Sequence, residues 1–161
     1  MGCVSEKALQ KYTELSDKLS CKELHAKLMG FFERRYTISE LLDWLHLTVK
    51  WTEGDLVRHN HPLEIIAFGK GRCGEFSILF TALCLAHKYR ARLILDMSDH
   101  VWTEVWDNDL QTWIHVDPSE KRIDDPLMYE RDWKKNLKRV YALENGKAKK
   151  VTKNYKTTST N

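Results

Sequence analysis

The chain has 161 residues, 42% of them hydrophobic and 30% charged, with 7 Gly and 3 Pro, which excludes collagenous, low-complexity and disordered classes. Its formal charge of +3 is too small to argue for a nucleic-acid partner, and no apolar run approaches the roughly 18 residues of a membrane span. A single domain over residues 1–156 with a disordered tail at 157–161 is expected, soluble and, lacking a signal-peptide apolar stretch, cytoplasmic.

Residues 5–36 read as helical, with Leu9, Tyr12, Leu15 and Leu19, then Leu24, Leu28, Phe31 and Phe32 on helical spacing. Ser20 with Glu23, and Thr37 with Glu40, have the form of capping boxes that open two further helices, the second carrying Leu41, Leu42, Leu45 and Val49. Pro62 suits the first turn of a short helix ending near Ala67, stopped by Gly69 and Gly71. A helical period over 73–87 then gives way to segments rich in β-branched and aromatic residues at 90–97, 100–106 and 112–116. Asn145-Gly146, between 139–143 and 148–152, is a strong hairpin signal. The fold class is α+β: N-terminal helices and a central helix beginning at Cys73, packed on an antiparallel sheet. Residues 131–156 carry ten basic residues against Asp132 and Glu144, read as a solvated face on the terminal hairpin rather than a polyanion surface.

Parity constrains the middle hairpin, because paired residues share a face of the sheet. A tight turn at Asn108-Asp109 would set His100 directly opposite Asp117. One face would then carry Val101, Thr103, Val105, Thr112, Ile114 and Val116. The other would carry His100, Trp102, Glu104, Trp106, Trp113, His115 and Asp117, a polar and aromatic set that reads as the wall of a site.

The four cysteines, at 3, 21, 73 and 84, form neither a CxxC pair nor a disulfide framework, and Cys84 lies on an apolar helical stripe that suits the core. Cys73 differs, because it follows the glycine-flexed run Gly69-Lys70-Gly71-Arg72 at the start of a helix. A helix N-terminus favours a thiolate, and the unpaired Cys73 N–H there could donate to an oxyanion. His100 would serve as base and Asp117 would orient its imidazole. No metal site or other cofactor is expected; His59 and His61 form an H-x-H pair without Cys or carboxylate partners.

Gly71-Arg72-Cys73-Gly74-Glu75-Phe76, Asp99-His100-Val101-Trp102-Thr103-Glu104-Val105 and Trp113-Ile114-His115-Val116-Asp117-Pro118-Ser119-Glu120 resemble the three blocks of the transglutaminase-like superfamily, and within it most closely the peptide:N-glycanase family. The spacings, 27 residues from Cys73 to His100 and 17 on to Asp117, fit as well, and the similarity runs from about Gly69 to Tyr155. The resemblance implies a papain/transglutaminase-like cysteine-hydrolase core with Cys73 as nucleophile, His100 as base and acid, and Asp117 as orienting carboxylate. It further implies that Trp102 and Glu120 line a sugar site, with Trp51 or Trp44 as the family's upstream tryptophan. The implied reaction is hydrolysis of a glycosylated Asn side-chain amide in a glycoprotein or peptide substrate. Eukaryotic peptide:N-glycanases carry two zinc-binding CxxC pairs in the upstream interval, and this chain has none. Two other readings stand beside this one: a protein transglutaminase or cysteine peptidase using the same triad, and a non-catalytic module binding, for example, nucleic acid.

Overall fold

Leu9, Tyr12, Leu15 and Leu19 specify α1, which runs Glu6–Lys18 in the computed structural model; this describes residues 6–157. The second helix, α2 (Lys22–Met29), corrects the first expected capping box. Its N-cap is Cys21 without a side-chain bond, because the Ser20 hydroxyl is drawn to Ser16 O (3.4 Å) and Asn145 Oδ1 (3.0 Å) instead. The second box forms: in α3 (Ile38–Thr48), Glu40 N–H donates to Thr37 Oγ1 and Thr37 N–H to Glu40 Oε1.

Between and after the expected N-terminal helices lie two short strands that the sequence pattern did not indicate. β1 (Lys50–Trp51) pairs parallel with β2 (Lys70–Gly71), on either side of α4 (Pro62–Phe68), whose C-cap Gly69 is left-handed. β2 runs straight into α5 (Cys73–Ala86). α5 is apolar almost all round and buried along nearly its whole length, which is the state such a helix requires.

The chain continues through β3 (Ala91–Asp96), β4 (His100–Asp107), β5 (Thr112–Asp117), β6 (Arg122–Ile123), the single turn α6 (Met128–Arg131), β7 (Val140–Glu144) and β8 (Lys147–Lys150), then a 3₁₀ turn, Thr152–Tyr155. The strands form one antiparallel sheet in the order β6-β5-β4-β3-β7-β8. The β4–β5 register differs from the tight-turn expectation: Thr103 pairs with Val116 and Asp107 with Thr112, leaving a four-residue loop, 108–111. Asp107 Oδ1 accepts the N–H groups of Asp109 and Leu110 (both 2.9 Å), and Gln111 turns the chain back at φ 52°. Asp117 therefore falls opposite Trp102, and His100 lies two residues further along β4, while the parity, and so the face, is as expected.

Both faces of the sheet are covered at its centre. The Val101, Thr103 and Val105 face packs on α5 in the larger core, with Leu93, Leu95 and Val116. The opposite face is a second core of Ile94, Trp102, Met128, Tyr129, Leu137, Val140, Ala142, Val151 and Tyr155. The polar and aromatic face is thus for the most part an interior. It is sealed by the segment from α6 to Tyr155, and its polar groups are satisfied inside it.

Arg92 and Glu104 form an ion pair of 2.6 Å there, less than a tenth exposed on either side, and Tyr155 Oη–H donates to Glu104 Oε2. Breaking such a pair strands a buried charge. Glu104→Ala should therefore cost about 3–5 kcal/mol in urea unfolding, and Arg92→Met with Glu104→Leu in one chain should recover most of it.

The basic stretch is dispersed. Arg131 pairs with Asp125 and Asp132, Arg139 with Glu6, and Lys135 with Asp96 and Asp99. Lys147, Lys149 and Lys150 stand exposed on the edge strand β8, where charge discourages pairing with another chain. Of the expected tail, Thr157 hydrogen-bonds Glu130 (2.8 Å); residues 158–161, like residues 1–5 with Cys3, lie outside the described residues.

Candidate active site

Two buried polar ties set the level of α5 against β4. Ser77 Oγ–H donates to Val101 O (2.9 Å), and the Thr81 and Thr103 hydroxyls bond each other (2.9 Å). One helical turn, Thr81 to Ser77, rises about 6 Å, and two strand residues, Thr103 to Val101, span about 6.7 Å. One further step along both elements brings Cys73 level with the start of β4, where His100 stands.

His100 is held on its other side. Its Nε2–H donates to Asp117 Oδ2 at 2.8 Å, leaving Nδ1 for the thiol. Burial pulls the His100 pKa down, but the hydrogen bond to Asp117, with that to Cys73 and the charges of both, pushes it up to about 9. Asp117 is completely buried, 0% exposed. Its carboxylate accepts from Tyr129 Oη–H (2.7 Å), Ser119 Oγ–H (2.9 Å) and Glu120 N–H (3.2 Å) besides His100. Burial alone would raise its pKa; His100 and these donors hold it below the usual carboxylate range.

Behind the thiol, Glu75 fixes the helix start. It accepts Arg72 N–H (3.0 Å) and a bidentate pair from Arg58 (2.6 and 2.7 Å). A side-chain carbon at Gly71 would lie 2.4 Å from Glu75 Cβ, so this approach requires glycine. The Arg72 guanidinium, adjacent in sequence, is spent on the Thr52 and Gly54 carbonyls. Arg58 is a cation that senses the Cys73 charge, and sequence spacing gave no sign of it. Tyr12 of α1 faces Gly74, its hydroxyl pKa pushed up to about 12, first by burial and then by Cys73.

The expected substrate-binding residues separate. Trp51, 48% exposed, pairs with Gly71 across the β1–β2 ladder, two residues before Cys73. Trp44 instead packs on Phe31 and Phe32 in the helical layer. Glu120 is exposed and holds Asp117 through its backbone N–H. Trp102, 0% exposed, corrects the reading of an open wall: its ring stacks on Tyr129 at 4.2 Å and meets Tyr155 edge-on, so it supports the site from within. Trp133, 37% exposed, meets His100 edge-on at 4.9 Å; its short irregular segment carries no periodicity by which the sequence could place it. His46 Nε2 bonds Pro118 O (2.7 Å), tying α3 to the segment after Asp117. His61 caps α4 through Leu63 N–H and His59 lies 3.6 Å from Glu64; no group of three or more metal-ligating side chains occurs among the described residues.

A family model described as the transglutaminase-like superfamily matches residues 12–118. The chain belongs to that superfamily. Its relatives named peptide-N(4)-(N-acetyl-beta-glucosaminyl)asparagine amidase include one from Arabidopsis thaliana, 45% identical over 98 residues, covering 61% of this chain and 14% of that protein. Those from Oryza sativa subsp. japonica and Drosophila melanogaster are 46% and 42% identical, covering 59% and 64% of this chain and 21% and 16% of theirs. The chain thus spans a small fraction of the length of these relatives. Among solved structures, Rad4-Rad23 bound to a 6-4 photoproduct UV lesion shares the fold, at a TM-score of 0.70 and 15% identity, covering 92% of this chain and 46% of that one. No helix among the described residues is long and apolar enough to cross a membrane.

Around Cys73, His100 and Asp117 of this transglutaminase-like domain, His115 extends the hydrogen-bonded set. Burial, only partly offset by Asp117 and Asp125, pushes its pKa down to about 4. An unfolded histidine takes its proton near pH 6.5, so between about pH 6.5 and 4 the unfolded chain binds more protons. Stability contributed by neutral His115 is complete above pH 6.5 and falls by up to about 3 kcal/mol toward pH 4. Urea midpoints measured across that range should decline, and His115→Gln should flatten the decline.

Proposed function

We propose that the domain is a thiol amidase acting on the glycosylated Asn side chain of a glycoprotein or glycopeptide, the reaction named for its relatives. The observation that carries this reading is the alignment of the Cys73 helix start with a His100 imidazole held by a fully buried Asp117. The Cys73 thiolate attacks the amide carbon, and the carbonyl oxygen becomes an oxyanion facing the Cys73 N–H, which has no acceptor within the helix. His100 gives its Nδ1 proton to the departing glycosylamine nitrogen as the C–N bond breaks, leaving a thioester on Cys73. Water then loses a proton to His100 and attacks the thioester carbon, and the C–S bond breaks to return the thiolate and release Asp. Trp51, paired with Gly71, and Trp133, against the His100 ring, are both partly exposed and supply aromatic surface for the substrate. Free thiols at Cys21, Cys73 and Cys84 suit a reducing compartment such as the cytoplasm.

Incubation with a denatured glycopeptide, read by mass spectrometry, tests the reading. Release of the intact glycan with conversion of Asn to Asp is expected. No release, together with incorporation of a labelled amine into a glutamine peptide, would replace it with a transglutaminase.

A further inference from the structure

Tyr129 and His115 take no part in the steps above, yet they sit buried against the carboxylate on which those steps depend. Tyr129 projects from the single turn α6, and its ring already has a packing role, stacked on Trp102 at 4.2 Å. A phenylalanine would pack there as well, so the hydroxyl needs a separate reason. It carries two bonds: Oη–H donates to Asp117 Oδ2 at 2.7 Å, and Oη accepts from His115 Nε2–H at 2.8 Å. The other His115 nitrogen, Nδ1, accepts the Asp125 backbone N–H at 3.1 Å.

The direction of every bond in this chain is fixed. A backbone N–H can only donate, so Nδ1 is unprotonated, Nε2 carries the proton, and the phenol must point its own proton at Asp117. Asp117 Oδ2 is also the oxygen that receives His100 Nε2–H, so the tyrosine and the catalytic imidazole share one acceptor atom. Ser119 and Glu120 N–H occupy Oδ1. Both carboxylate oxygens are thereby filled, and the carboxylate plane cannot rotate without losing a buried bond.

We propose that Tyr129, oriented by His115, is a positioning residue: its hydroxyl fixes the Asp117 carboxylate and moderates how strongly that carboxylate, bound to Nε2–H, stabilises the His100 imidazolium. The proposal rests on the amidase reading for the use of the imidazolium's Nδ1 proton, but not for the geometry. Without the phenol proton, Oδ2 has a single donor and binds His100 more tightly. The imidazolium then yields its proton to the leaving nitrogen less readily.

The test is Tyr129→Phe, with His100 titrated by NMR in ring-labelled protein without substrate, and kcat and KM measured on the glycopeptide. The His100 midpoint should rise by about half a unit or more, and kcat should fall about tenfold with KM within twofold. An unmoved midpoint in the folded variant overturns the proposal. Should Tyr129→Phe fail to fold, His115→Gln and His115→Leu read the same point. Glutamine can both accept from Asp125 and donate to Tyr129, so it should keep the wild-type titration, whereas leucine should shift it; coincident curves overturn the proposal. A shifted midpoint without glycopeptide turnover by the wild type would leave the positioning role standing and remove the amidase reading instead.

Discussion

Cys73→Ala should lower amide hydrolysis to the background rate, a loss of at least about 10⁴-fold, without loss of the folded state. The expectation follows from how little of Cys73 is structural. It is only partly buried at the first position of α5, where the helix is anchored by Glu75, Arg58 and Arg72 and, a turn further on, by Ser77. The thermal midpoint should therefore stay close to wild type while turnover disappears. Cys73→Ser should fail almost as completely, because a hydroxyl in the same place is a far weaker nucleophile at neutral pH. Haloacetamide alkylation supplies a check that needs no substrate. Cys73, paired with a histidine that keeps its proton to about pH 9, should react faster than the exposed Cys21. The fully buried Cys84, its thiol pushed up by burial, should not react at all. Retained hydrolysis in Cys73→Ala, with the protein shown free of contaminating amidase, would dispose of the thioester route.

The helices and strands were legible because their apolar residues repeat over several turns or pairs, as in 73–87 and 91–96. The β4–β5 register was legible only to its parity. A turn at Asn108-Asp109 and the observed 108–111 loop both put His100, Glu104 and Asp117 on one face, and the choice between them lies in how Asp107 Oδ1 gathers two backbone N–H groups. What covers that face could not be read. Met128–Arg131 and Thr152–Tyr155 are single turns, too short for periodicity, so a face that looked too polar to be buried is in fact buried through hydrogen bonds to Tyr129 and Tyr155. The choice between Trp44 and Trp51 also depended on a feature without a sequence signature, a parallel pair of two-residue strands that sets Trp51 beside Gly71. Arg58 was invisible for the same reason: it reaches Glu75 from a segment with no regular structure.

Asp117→Asn should reduce kcat/KM by about 10³–10⁴-fold, the scale expected when a triad histidine loses its carboxylate. The amide offers one acceptor oxygen where the carboxylate offers two. It also turns an NH₂ toward groups that themselves donate, namely Tyr129 Oη–H, Ser119 Oγ–H and Glu120 N–H. Whichever way it is flipped, a donor is unsatisfied or His100 loses its preferred tautomer. The pH dependence separates this from a general loss of structure. In the wild type, the partners of His100 raise its pKa to about 9 against the burial that lowers it. Removing the carboxylate charge lets burial prevail, so the alkaline limb of the pH profile should move acidward, toward or below pH 6.5. The same linkage has a defined sign in stability. A histidine whose folded pKa is raised contributes stability that is complete below its unfolded pKa and lost as pH climbs through the folded one. The stability gap between wild type and Asp117→Asn should accordingly be widest below about pH 6.5 and narrow as pH passes 9. A gap constant across that range, with an unmoved alkaline limb, would mean that Asp117 supports the fold but does not govern the proton on His100.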